Sequence, residues 1–200
     1  MKDKWVAQTI MVTALIVLSG CGGAVKYPAY YTLHVPAPPD APAQGRVHAT
    51  LAVREFRAPE YLDRGAIVYR ASPEQIGFYN YDRWATDPRE FVSQAIADRL
   101  RASGNFTQVK PYDGRPDIDY VLSGRLQKLE EIDYDGGVKV EVEMSAQMVQ
   151  LSTGVTVWAN SVTEVEPVDK RDVPGIVAAM SGAMEQTIEK LLTPAPTAGE

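Results

Sequence analysis

Val138-Lys139-Val140-Glu141-Val142-Glu143-Met144-Ser145-Ala146-Gln147-Met148 alternates apolar and polar side chains without a break. Successive side chains of a strand point to opposite faces, so this stretch has one face for a core and one for water. Asp135-Gly136-Gly137 before it and Ser152-Thr153-Gly154 after it are turn chemistry. The run is therefore the middle, and the expected longest strand, of an antiparallel meander. Tyr120 to Leu126 precedes it, and Val155, Val157 and Ala159 carry the apolar face of its partner.

Outward from that centre, Val47 to Phe56 alternates in the same way, with Val47, Ala49, Leu51 and Val53 on the inner side. Ile67 to Arg70 and Gly77 to Tyr81 flank a Pro73-containing loop and predict a hairpin. Tyr30 to Val35 predicts a first strand, and Phe106 to Val109 a short one. Asp87-Pro88-Arg89-Glu90 opens a helix as N-cap, first-turn proline and capping-box acid; Val92, Ile96 and Leu100 recur at helical spacing, and Gly104 ends it. A second helix begins near Asp172, with Val173, Val177, Met180, Met184, Ile188 and Leu191 as its apolar stripe. Met144, Met148, Met180 and Met184 then read as two stripes packed together. The expected class is α+β: an antiparallel or mixed sheet with two amphipathic helices packed on it.

The N-terminus is of another kind. Lys2 and Lys4 precede an apolar run, Val6 to Leu18, too short for the roughly 20 residues of a spanning helix. It ends in Leu18-Ser19-Gly20-Cys21, which resembles the lipobox of bacterial lipoproteins. Two small residues admit the signal peptidase, and the thiol accepts a diacylglycerol. Cys21 is the chain's one cysteine, so no disulfide is available. The expected organisation is a signal peptide over 1–20, a lipidated tether over 21–29, one domain over 30–192 and a flexible tail over 193–200. Two acyl chains anchor a protein stably. The eight residues from Gly22 to Ala29 reach only about 25 Å. Gly22 stands where an aspartate retains such proteins at the inner membrane; the sorting convention therefore points to the outer membrane.

Charge narrows the function. The chain carries −6. Losing Lys2, Asp3 and Lys4 removes two positive charges and one negative, leaving −7. An acidic surface argues against nucleic acid and against electrostatic docking on anionic lipid. His34 and His48, the two histidines, lack metal-ligand spacing, and no nucleophile elbow or phosphate loop is present. Glu130, Glu131, Asp133 and Asp135 lack the pattern of a calcium loop and read as a solvated tip. No metal, cofactor or catalytic set is expected beyond the covalent diacylglyceryl and N-acyl lipid on Cys21, and the protein is expected not to be an enzyme.

Glu60-Tyr61-Leu62-Asp63-Arg64, Ile67-Val68-Tyr69-Arg70 and Tyr81-Asp82-Arg83-Trp84-Ala85, followed by the capped helix, together resemble the ABC-type transport auxiliary lipoprotein family (PqiC-like). Tyr30-Tyr31-Thr32-Leu33 resembles its opening strand. One departure is Gly65, where many relatives carry proline; it is expected to loosen that turn locally. The resemblance implies an accessory component of an intermembrane phospholipid transport system, with an MCE-domain protein and ABC transporter components as partners. A homo-oligomeric ring is compatible with such a role. Tyr61, Arg64, Tyr81, Arg83 and Trp84 are the candidate partner interface, because Tyr, Trp and Arg dominate binding hot spots. The competing reading is an outer-membrane lipoprotein that scaffolds or activates a cell-wall enzyme, against which the short tether argues. A periplasmic hydrolase lacks a triad or metal set to support it.

Overall fold

The computed structural model describes residues 26–38, 47–115, 117–134 and 136–196. Leu18, Ser19, Gly20 and Cys21 lie outside them, as do Asp135 and the last four residues of the expected tail. Eight strands form one open mixed sheet: β1 (Ala29–Tyr31), β2 (Val47–Val53), β3 (Ala66–Arg70), β4 (Ile76–Trp84), β5 (Phe106–Pro111), β6 (Tyr120–Ile132), β7 (Lys139–Gln150) and β8 (Thr156–Pro167). Two helices, α1 (Pro88–Ala102) and α2 (Val173–Leu191), complete the α+β fold.

The sheet is forked at β6. On one side β6 pairs along its length with β7, and β7 with β8, all antiparallel. Its other side is shared. Tyr120, Val121 and Leu122 pair parallel with β2, which continues to β5, while Glu131 and Ile132 pair parallel with β3, which continues to β4 and β1. Between the prongs the chain stays tied to β6: the Arg54 and Arg57 amides donate to the Leu122 and Gly124 carbonyls at 2.9 and 3.0 Å. Phe56 lies over Gly124 so closely that a Cβ there would sit 2.2 Å from its ring. The expected hairpin is β3–β4, and the expected short strand is β5. β6, at 13 residues, is longer than β7, at 12.

One apolar cluster joins both helices to the sheet, with Val92, Ile96 and Leu100 of α1 and Val177, Met180, Met184, Ile188 and Leu191 of α2 in it. Arg99 and Glu189 join the two helices at 3.4 Å. All four methionines of the two stripes are fully buried there. Asp87 caps α1, its carboxylate accepting from the Arg89 amide at 2.8 Å and from the Arg89 guanidinium.

Two local expectations are corrected. The first strand covers only Ala29–Tyr31; Leu33 is instead a core residue, and the His34 amide donates to Ser181 Oγ of α2 at 3.1 Å. Strand β8 has its apolar parity reversed. A register shift opposite Met148 and Val149 skips Val157, so Trp158, Asn160 and Val162, not Val155 and Ala159, carry the better covered face. Of the expected tail, residues 193–196 are described. Trp158 Nε1 donates to the Pro194 carbonyl at 3.1 Å, and Pro196 is buried.

Candidate functional site

The motif residues converge where a 3-10 turn, Glu60–Arg64, leads into β3. Gly65 ends that turn at φ +67°, a left-handed conformation that proline, fixed near −65°, is unable to adopt. The turn is therefore not a loosened version of a proline turn; it is a different one, closed by the Gly65 carbonyl accepting from the Trp84 amide at 2.8 Å.

Each residue of Tyr61-Leu62-Asp63-Arg64 does a separate job. Tyr61 donates its hydroxyl to the Gln127 carbonyl at 3.1 Å and lies 3.5 Å from Glu130. Leu62 enters the core. Asp63 pairs with Arg89 at the start of α1, 3.1 Å away. Arg64 lays its guanidinium 4.8 Å over the Phe78 ring. The segment thus fastens β6, the core, α1 and β4 to one point.

Beneath it lies a pair of buried acids, which corrects the solvated tip expected here for Glu130 and Glu131, while Asp133 is exposed as expected. Glu130 is fully buried and bonded to Arg70 at 2.5 Å, with Arg70 also donating to the Pro73 carbonyl at 3.0 Å. Glu131, also buried, accepts from the Tyr79 hydroxyl at 2.7 Å. Burial raises the Glu131 carboxyl above its usual range, with Asp133 adding to the shift and the Tyr79 bond opposing it. Burial first, then Glu131, also raises the Tyr79 phenol, which stays a donor at neutral pH. A charge can stay buried only when paired or hydrogen-bonded, and both partners here come from the β3–β4 hairpin. Nothing local in the sequence marks this arrangement, because Arg70 is sixty residues from Glu130.

The proposed interface set divides. Trp84 is core, 6% exposed, and its indole N–H has no acceptor among the described residues. Tyr61 is half-buried and committed to β6. Arg64 and Tyr81 are exposed and Arg83 half-buried, its guanidinium donating to the Arg64 carbonyl at 3.2 Å. Tyr81 and Arg83 lie on the β1–β4 edge, beside Lys26 of the expected tether and Tyr30 of the expected first strand. Lys26 sits 4.5 Å over the Tyr81 ring, and Tyr30 is in register with Arg83. The edge is aromatic and cationic. A second surface, the open sheet beside the fork, holds a shallow concavity of about 660 Å³ bordered by Arg54, Arg57 and Arg125, the last two bridged side by side.

No group of three or more His, Cys, Asp or Glu residues that could hold a metal occurs among the described residues. No helix among them is long and apolar enough to cross a membrane.

A family model described as "ABC-type transport auxiliary lipoprotein component" matches residues 31–191. No curated protein matches. Among solved structures, the chain is similar to protein XCC0632 from Xanthomonas campestris, at 21% identity and a TM-score of 0.71, over 82% of this chain and 92% of that one. It is also similar to PelC from Paraburkholderia phytofirmans, solved as a dodecamer, at 19% identity and a TM-score of 0.51, over 78% of this chain and 94% of that one. At these identities the likeness is one of fold.

Proposed function

Because the chain belongs to the ABC-type transport auxiliary lipoprotein family, we propose that it is a non-enzymatic docking component of an MCE/ABC-type system moving phospholipid between the envelope membranes, working without a cofactor. Membership makes it a membrane-anchored periplasmic lipoprotein. In this reading Cys21 carries the diacylglyceryl and N-acyl groups, and Gly22 favours sorting to the outer membrane.

The observation that carries the docking role is how the chain leaves its anchor. Within ten residues of Cys21 the backbone is already paired into the sheet, at Ala29–Tyr31 against Asp82–Trp84. Leu33 is then in the core, and His34 is bonded to α2. A domain fixed this close to its anchor suits a stationary adaptor better than a regulator that must reach through the cell wall. PelC, whose fold is similar, was solved as a dodecamer, which supports a homo-oligomeric form of this chain as well.

The test is in-cell crosslinking of the lipidated protein, with mass spectrometry of partners from separated membranes. Recovery of an MCE-domain protein and ABC components from the outer-membrane fraction is expected. Recovery of cell-wall synthases alone would replace this role with scaffolding of a cell-wall enzyme.

A further inference from the structure

Among the described residues, the most exposed aromatics gather on one edge. Tyr27 is 79% exposed, Tyr30 63% and Tyr81 42%. Tyr30 belongs to β1, an edge strand of three residues, and Tyr81 to its neighbour β4. Two cations are interleaved with them, and the backbone of Arg64 holds one of the two. Lys26 stacks on Tyr81, Arg83 is in register with Tyr30, and Arg64 accepts at its carbonyl the bond from Arg83. Asp82, on the other face of β4, accepts from the Tyr31 hydroxyl at 3.1 Å, and Asp63 is paired with Arg89. Lys26 and Arg83 thus place cations beside the exposed tyrosines on a chain of net charge −6.

We infer that the β1–β4 edge, with Tyr27, Tyr30, Tyr81, Lys26 and Arg83, lies against the headgroup region of the bilayer that holds the Cys21 lipid. The inference rests on the proposed lipidation of Cys21 and names the surface that the anchored domain turns to its membrane. Lys26 is five steps along the chain from Cys21, a span of at most about 18 Å even when fully extended. A folded domain of 100 residues has a radius of gyration of about 13 Å, and so a diameter well above that gap. The end of the domain that carries this edge is therefore held within reach of the lipid surface, which is the occupant nearest to it. The chemistry agrees. Tyrosine places an apolar ring and a polar hydroxyl at the membrane–water boundary, and Lys and Arg extend apolar stems toward phosphates. The anchor overcomes the repulsion of the acidic body, and the edge sets its orientation. Protein partners are then met by other surfaces.

The experiment uses the full lipidated protein reconstituted in phosphatidylethanolamine/phosphatidylglycerol vesicles. Tyr27→Trp, Tyr30→Trp and, on the opposite edge in β8, Val165→Trp replace exposed residues that no core contact depends on. Emission is read as the difference from the parent, with lipids brominated near the headgroup as quenchers, and Cys21 acylation is measured by mass spectrometry. Tyr27→Trp and Tyr30→Trp are expected to lose more than half of their added emission, and Val165→Trp almost none. A fully acylated, vesicle-bound protein whose Tyr30→Trp signal is unquenched would overturn the orientation while leaving the transport role standing. Quenching at Val165→Trp instead would turn the other edge to the bilayer and overturn it equally. An unacylated Cys21 would remove the premise of both.

Discussion

At the scale of single residues, Trp84 and Arg83 are neighbours with opposite tasks. Trp84 is packed inside, so Trp84→Ala should cost about 3–5 kcal/mol through lost burial and the cavity left behind. Arg83 makes one exposed bond to a carbonyl, and Arg83→Ala should cost about 1 kcal/mol or less. Urea denaturation of the two variants checks the pair; equal losses would mean that Arg83 also belongs to the fold. Glu131 gives a prediction with a sign. Burial raises its pKa in the folded chain above the ordinary 4.5, so the folded state holds that proton more tightly than the unfolded state does. The resulting stability is fully present below the unfolded value and is lost as pH rises through the folded one. Glu131→Gln keeps an acceptor for Tyr79 and removes the buried charge. It should be more stable than the parent at neutral pH and show a flatter pH dependence of melting temperature. A variant less stable at pH 7 would contradict the burial argument. These acids also show where sequence reading fails. An acidic run beside a turn has the composition of a wet surface, and only partners from a distant hairpin make burial tolerable.

At the scale of elements, alternation and capping were readable because they are local. The inner residues of β7 are those its pattern names, and α1 starts at the expected Asp87. Asp87→Ala should lose about 1 kcal/mol as an N-cap and in addition break the Asp87–Arg89 pair, leaving Arg89 on Asp63 alone; thermal unfolding measures it, and a negligible loss would remove the cap from the account. Parity failed in β8 because a single bulge moves every later side chain to the other face, and a bulge leaves no compositional mark. Parallel pairing of β2 and β3 with β6 was equally hidden, since no turn sequence encodes a contact between strands separated by a helix. Within the proposed site the Tyr61–Trp84 motifs were found, but their division into fastening and exposed residues was not. Tyr, Trp and Arg serve both purposes.

At the scale of the whole molecule, β6 is the trunk to which both prongs and the meander attach. Its amides are bonded on two sides and covered by the core, whereas β1 and β5 are edges. Native-state hydrogen exchange should therefore be slowest in β6 and β7 and fastest in β1, by orders of magnitude. Comparable protection in β1 would mean that its edge is covered in solution. The same short strand has a mechanical consequence. Any pull between the membrane and the domain is borne first by the three registered pairs of β1 with β4, and only behind them by Leu33 and the His34–Ser181 bond. Under load β1 should yield as a fuse, releasing Lys26 to Thr32, a contour of at most about 25 Å at roughly 3.6 Å per residue less the distance the folded segment already spans, while the core stays closed. A force trace taken between Cys21 and the C-terminus would show that release as a first, reversible step, and a protein anchored in this way would tolerate membrane undulation without unfolding.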